Sequence, residues 1–257
     1  MASVSLLDTQ QGSRLIRFLT DLAVSDAKIS HKNFAEQLGQ LIDLSDSFAL
    51  SDALRSLKRL PFKANTDDDT RAQYSESIKQ HFLQQRSLMV EAIVKSFVPD
   101  HGTLALLLPA ADSEESINSG KTLDAYVRFY AMQQSEMEHR VIKLRAHVRE
   151  SLSGHSAALA QLAALDTAIG DTLAIPSRKL FTVVPRLLRK RFTLLHEEHV
   201  AKTQDSIDNN QLWLETGGWL DNFYNEMQGL LLAELEVRLQ PVLGLIEALE
   251  ESTENTL

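Results

Sequence analysis

The sequence predicts an all-α protein, in which a small N-terminal helical unit precedes an elongated bundle of long antiparallel helices. The first observation is the stretch 219–249, whose apolar residues recur at steps of three and four and share one helical stripe. Glu234 is the polar exception in that series. The stretch 123–152 repeats these steps over four heptads, with Gln134 as its polar position. Only 6 Pro and 10 Gly interrupt the chain, and no run with a period of two indicates a strand.

The domain organisation follows from the spacing of polar segments. Residues 1–62 are predicted to form the N-terminal unit, because Ser13, Ser30 and Ser45 or Ser47 can each cap a short amphipathic helix. The polar segment 63–71 is predicted to be a linker, and residues 72–257 to form the long-helix bundle.

Glycine and proline bound the predicted helices of the bundle. These helices cover 73–98, 123–152, 157–173, a segment whose first turn contains Pro185, and 219–249. Residues 100–120, an apolar tract followed by an acidic, Ser-rich stretch, are expected to be a mobile loop. Pro241 is expected to kink or end the last helix, because it cannot donate to the residue four positions back.

The apolar seam within 123–152 is a candidate interface. Its central residues are Val127, Tyr130, Met137, Val141 and Leu144. The same pattern occurs in coiled-coil dimers and in helices that pack within one chain. We favour packing within the chain and keep a homodimer as the alternative.

Composition excludes several classes of protein. The chain has no Cys among its 257 residues, so it has no disulfide and no thiolate site, which fits a reducing compartment. The longest apolar run has eight residues, 104–111, whereas a spanning helix needs about 20. We expect no signal peptide, no membrane insertion and a cytoplasmic location. A net charge of −9 argues against a general nucleic-acid coat.

One dense basic cluster is the candidate binding surface. It comprises Arg186, Arg189, Lys190 and Arg191. On a helix, 186, 189 and 190 share a face, which could be an ordinary solvated surface or could bind an acidic protein segment, nucleic acid or an anionic membrane surface. The acidic residues Glu197 and Glu198 nearby argue against nucleic acid.

Two His–Glu patterns are weak candidates for a metal site. Glu136 and His139 have the spacing that places two ligands on one helical face, but di-iron bundles need two such pairs and two further Glu. His196 and His199 are three residues apart, whereas the zincin pattern needs four. Phosphate-loop, dinucleotide and nucleophile-elbow motifs do not occur. We therefore predict no metal, no cofactor and no enzymatic activity.

Several helix-packing segments resemble a known family. They are SRLIRFLTDL from Ser13, FAEQLGQLIDLSDSFALSDAL from Phe34, AALAQLAALDTAIGDT from Ala157, VPRLLRKRFTLLHEEH from Val184, and the final helix with RLQPVLGLIEAL. In these the chain is similar to a proteobacterial family, the domain of unknown function 3348. The family has no assigned catalytic residues, so the resemblance assigns none to this chain. It also implies that the gene for this protein lies beside genes for a protein with an OmpA/MotB-type peptidoglycan-binding domain and for a membrane-anchored coiled-coil protein.

These observations lead to a functional hypothesis. We expect a non-enzymatic cytoplasmic adaptor that binds a helical or coiled-coil partner of an OmpA/MotB-like cell-envelope complex, and is peripheral to the inner membrane through that partner. A regulator that binds nucleic acid through the basic face at 186–191 is the alternative.

Overall fold

The computed structural model describes residues 68–98, 107–111, 120–203 and 217–254, together with Leu15, Ile117 and five residues between 51 and 56. Almost all of these residues are helical and these ranges contain no strand, so the all-α prediction is confirmed. Most of the predicted unit 1–62, of the predicted linker 63–71 and of the predicted loop 100–120 lies outside the described residues. Those boundaries stay predictions.

The described helices form a bundle and are long. They are α1 (Asp68–Ser96), α2 (Lys121–Ser153), α3 (Ala157–Phe181), α4 (Val183–Thr203) and α5 (Trp219–Glu254). Only Thr182 separates α3 from α4. After α1, the backbone N–H of Leu108 donates to the carbonyl of Ser96 at 2.8 Å, which satisfies one acceptor at that helix end.

Polar residues between α2 and α3 end one helix and start the next. Helix α2 ends just before Gly154, as predicted, and the N–H of His155 donates to the carbonyl of Leu152 at 3.1 Å. Ser156 then caps α3, because its hydroxyl accepts the backbone N–H of Leu159 at 3.2 Å.

Two prolines lie inside helices that continue past them. Helix α5 runs through Pro241 to Glu254, and α3 runs through Pro176 to Phe181. Pro241 is exposed, whereas Leu239 and Val242 on either side of it are buried. We infer that packing of these neighbours offsets the missing hydrogen bond, so the proline does not end the helix.

The described residues fall into two compact units that do not follow chain order. Unit 1 contains 92–98, 107–111, 120–135, 182–203 and 217–237, and unit 2 contains 68–91, 136–181 and 238–254. Helices α1, α2 and α5 therefore each contribute to both units.

The core of unit 1 combines aromatic rings with long aliphatic side chains. Phe192 lies 5.2 Å, centroid to centroid, from the rings of both Trp219 and Phe223. Tyr126 approaches Phe192 and Phe223 at 6.0 and 5.9 Å. Phe223 is completely buried, and each such side chain contributes about 2 kcal/mol by burial. In this unit Tyr126 contacts Tyr224 and Tyr130 contacts Glu234, so α2 and α5 run in the same direction.

Unit 2 buries the C-terminal part of the α2 seam. Buried side chains come from every helix in the unit: Ile78, Phe82 and Met89; Met137, Val141, Leu144, Val148 and Leu152; Leu159 and Ala163; Leu239, Val242, Leu245, Ile246 and Leu249. Glu138 of α2 contacts Arg178 of α3, and Arg149 contacts Asp166. Helices α2 and α3 are therefore antiparallel, as predicted, whereas the parallel α2 and α5 of unit 1 depart from the predicted antiparallel arrangement.

Candidate functional site

The predicted basic face on α4 is divided by its internal contacts. Arg191 makes a two-pronged ion pair with Glu226 of α5, in which its Nε lies 2.8 Å from Oε2 and its Nη2 lies 2.5 Å from Oε1. The side chains of Arg191 and Glu226 are only 20% and 26% exposed. This geometry makes Arg191 a link between α4 and α5 within unit 1 rather than a surface cation.

Arg189 lies closer to solvent but also has an internal partner. Its Nη2 lies 2.7 Å from the Oδ1 of Asp124 on α2, and the two side chains are about half exposed, at 46% and 58%. An exposed pair of this kind contributes at most about 1 kcal/mol, so a stronger ligand could displace it.

Arg186 and Lys190 are the exposed cations of the cluster. They lie one helical turn apart on α4, and neither pairs with any residue in the described parts of the chain. Leu194, which is 36% exposed, follows one turn later. We call Arg186, Lys190 and Leu194 the outer face of α4. This face presents two positive charges and then an apolar side chain.

The His–Glu–Glu–His segment continues α4 beyond this face. His196 and His199 pack on the ring of Trp219, with centroid distances of 5.4 and 6.0 Å, whereas Glu197 and Glu198 are exposed. The imidazoles therefore belong to the aromatic surface of unit 1. The two carboxylates limit the basic surface to the first half of α4.

No metal-type cluster is assembled in the described ranges. Within them, no three His, Asp or Glu side chains are grouped so that they could hold an ion. Glu136 accepts a hydrogen bond from Arg140 at 2.6 Å, while His139 is exposed. The two His–Glu patterns therefore gain no support as a metal site from the described residues.

The α2 seam does not offer a surface to a partner. Tyr130, Met137, Val141 and Leu144 are at most 7% exposed, and Val127 is partly exposed. These side chains pack against the chain's own helices. A second helix could reach them only if the helices of each unit separated.

Gln134 and Glu234, the polar residues of the two predicted apolar stripes, contact each other inside unit 1. Glu234 is completely buried, and its Oε2 accepts hydrogen bonds from the Nε2 of Gln134 at 2.8 Å and from the hydroxyl of Tyr130 at 3.1 Å. A buried carboxyl group without donors would be strongly destabilising, so the amide and the phenol compensate for its burial. This polar core joins α2 to α5 in a single register.

A pair of phenols lies on the same two helices. The hydroxyl oxygens of Tyr126 and Tyr224 are 2.6 Å apart. Burial raises the pKa of Tyr224, and the hydrogen bond with Tyr126 only partly offsets that rise. Tyr224 therefore stays protonated at neutral pH and can share a proton with Tyr126 in one hydrogen bond.

The ionic centre of unit 2 links α2 to α3. Arg145 donates from Nε to the Oδ2 of Asp166 at 2.8 Å and from Nη2 to Oδ1, and Arg149 donates from Nε to Oδ2 at 2.6 Å. Nη2 of Arg149 also donates to the Asp166 carbonyl at 2.8 Å. A Cβ at Gly170 would lie 2.8 Å from Arg149 Nη2, so the glycine leaves space for this guanidinium.

Asp166 stays ionised in this centre. Burial by itself raises the pKa of its carboxyl group, but the hydrogen bonds and positive charges of Arg145 and Arg149 outweigh that effect and bring the pKa below its ordinary value of 3.8. Sequence analysis did not identify this centre. Arg145 and Arg149 are four residues apart on a predicted helix, which was a usable signal, but nothing in the sequence paired them with Asp166.

A family model matches residues 1–251, which is nearly the whole chain, and its description is Protein of unknown function (DUF3348). The chain belongs to this family. Among curated proteins and among solved structures, no match was found. The family description assigns no activity, so the residue roles rest on the geometry of the chain itself.

One described stretch has the length and composition of a membrane span. Ala157–Lys202 covers 46 residues, and 11% of its most apolar 18-residue window is buried. The prediction of no membrane insertion rested on uninterrupted apolar runs, whereas this stretch is apolar on average without such a run. A single stretch with this length and composition is weak evidence for a membrane span.

Proposed function

We propose that this DUF3348 protein is a non-enzymatic adaptor that binds an acidic helical segment of a cell-envelope partner through the outer face of α4. One observation carries the proposal: Arg186 and Lys190 are exposed and pair with no acidic residue of the described ranges, whereas Arg189 and Arg191 pair with Asp124 and Glu226. Two such cations attract an acidic segment and orient it on approach.

The outer face also limits what the partner can be. Leu194 offers one apolar contact beside the cations, which suits the mixed face of an amphipathic helix. Glu197 and Glu198 follow within a turn and would repel acidic groups beyond the first half of α4. The partner should therefore carry one or two turns of acidic side chains, followed by neutral or basic residues.

The cellular setting of the proposal comes from the family. The resemblance implies a soluble accessory to a cell-envelope complex, whose partner is a membrane-anchored coiled-coil protein or an OmpA/MotB-like complex.

The test reverses the charges of the outer face and leaves the internal pairs in place. Arg186→Glu with Lys190→Glu should lower recovery of the protein with membrane-associated partners at least tenfold, because two attractive contacts become repulsive. Lys121→Glu with Lys143→Glu is the matched control, since both lysines are exposed and the change in net charge is the same.

The comparison uses cells that express each variant at native level, followed by crosslinking, membrane fractionation and mass spectrometry. Equal loss in both double variants would mean that net charge matters and the outer face does not. Unchanged recovery in the Arg186 and Lys190 variant would refute the proposal. Binding to a random DNA duplex that weakens steeply with salt, and is lost only in that variant, would favour the nucleic-acid hypothesis.

A further inference from the structure

The side of α3 that faces away from α2 combines small, apolar and polar side chains at the surface. Leu159 and Ala163 are buried, and Asp166 is held by arginines of α2, so this side of α3 packs within unit 2. The opposite side includes Ile175, which at 63% is the most exposed large apolar side chain in the described residues.

The exposed side of α3 carries a heptad stripe. Its members are Ala157, Gln161, Ala164, Ala168, Asp171 and Ile175, which alternate steps of four and three and are exposed or half-buried. We call these six residues the α3 stripe. Because the steps are those of a and d positions, the stripe can pack against another helix with knobs-into-holes geometry.

The geometry points to a second copy of the chain as the occupant of the α3 stripe, in an antiparallel pair around a two-fold axis near residue 166. In that register 157 faces 175, 161 faces 171, and 164 faces 168 of the other copy. Each of these facing pairs then joins an a position of one helix to a d position of the other, as antiparallel helix pairs require.

This register matches the side chains across the axis. Small Ala157 lies opposite large Ile175 at both ends, and Ala164 lies opposite Ala168 at the centre, where small side chains allow close approach. The amide of Gln161 lies opposite the carboxylate of Asp171, so the two polar members of the stripe meet each other twice and can hydrogen-bond.

If one α3 helix is shifted by seven residues along the other, this complementarity is lost. In one direction Asp171 would face Ala168, which buries a carboxylate against a methyl group. In the other direction Ile175 would face position 150, beyond the start of α3, and its apolar contact would be lost. The register centred near 166 is therefore the one that joins polar to polar and large to small.

The expected dimer is weak, because one helix pair of about 28 Å lies at the low end of interface sizes. Sedimentation velocity up to about 1 mM protein should show a reversible monomer–dimer equilibrium. This surface lies in unit 2 and uses none of the residues of the outer face of α4, so the two proposals can fail separately.

Charge changes at Gln161 test the register. Gln161→Lys places an ammonium group opposite Asp171 twice and should tighten the dimer about threefold to fivefold. Gln161→Glu is the matched variant of opposite charge and should loosen it by a similar factor. Gln161 is exposed, so helical content should stay the same in both variants. Equal effects of the two variants, or a monomer at every concentration, would overturn the proposal.

Disulfide trapping gives the sharpest test, because the natural chain has no cysteine. Ala164→Cys and Ala168→Cys are made as two single variants and oxidised alone and as a mixture. The antiparallel register predicts a covalent heterodimer in the mixture and little crosslinking of either variant alone. Self-crosslinking that equals the mixture, or no crosslinking, would contradict it.

Discussion

Replacing Asp166 tests whether the ionic centre of unit 2 stabilises the fold. Asp166→Asn keeps the size of the side chain and removes the negative charge that holds Arg145 and Arg149. Three hydrogen bonds reach the carboxylate, whereas the bonds from the arginines to the Asp166 carbonyl can persist.

The loss of folding free energy in Asp166→Asn should lie between two limits. Breaking a fully buried ion pair costs about 3–5 kcal/mol, and breaking an exposed pair costs at most about 1 kcal/mol. The side chains of Asp166, Arg145 and Arg149 are 13%, 20% and 19% exposed, so water can reach the arginines that the substitution leaves behind. We therefore expect a loss of about 2–3 kcal/mol, equivalent to a fall in Tm of about 5–10 °C.

The matched control is Glu136→Gln, which breaks an ion pair with Arg140 at a similar distance. Those two side chains are 43% and 41% exposed, so the expected loss is below about 0.5 kcal/mol. Urea denaturation, monitored by circular dichroism, measures the free energy of unfolding of both variants. A loss for Asp166→Asn no larger than that for Glu136→Gln would refute the role assigned to the centre.

The pH dependence gives a second check on the same variant. Because the pKa of Asp166 is lower in the folded protein than the ordinary 3.8, its contribution to stability is fully present above pH 3.8. That contribution is lost as pH falls through the lower, folded-state pKa. The stability difference between wild type and Asp166→Asn should be constant between about pH 5 and 8 and should shrink below about pH 4. A difference that grew on acidification would contradict the ionised state of Asp166.

Further substitutions test the polar core and the space beside the ionic centre. Glu234→Leu should cost about 2–3 kcal/mol, because the buried hydroxyl of Tyr130 and the half-buried amide of Gln134 each lose an acceptor. Adding Tyr130→Phe and Gln134→Leu should recover most of that loss; a triple variant as unstable as the single one in urea denaturation would argue against the network. Gly244→Ala should stabilise the protein by about 0.8 kcal/mol, since a Cβ there meets nothing within 4 Å. Gly170→Ala should fall short of that gain by about 1–2 kcal/mol in the same assay, because its methyl group displaces a hydrogen-bonded guanidinium; equal gains would show that the space is not needed.

Helix type and approximate position were predictable because apolar periodicity is a local property. The stretch 123–152 was predicted within a few residues of α2, and the glycine at 154 correctly separated α2 from α3. Pro241 was less informative, because its local effect competes with burial of its neighbours and the helix continues.

Contacts between helices were not predictable, since helix spacing does not fix the register of one helix against another. Gln134 and Glu234 each stood out as a polar member of an apolar stripe, but nothing in the sequence paired them across 100 residues. The same limit applied to the basic cluster: the sequence placed Arg186, Arg189 and Lys190 on one face, and only the ion pair with Asp124 separated Arg189 from the other two.

The contact map between this protein and its envelope partner tests the adaptor proposal most directly. Lysine-directed crosslinking in cells that express the protein at native level, followed by mass spectrometry, identifies which lysines lie near the partner. The outer face of α4 predicts crosslinks from Lys190 to a helical envelope protein next to an acidic segment, and none from Lys143 on α2. Crosslinks at Lys143 without Lys190, or recovery of the protein alone in the soluble fraction, would contradict the account.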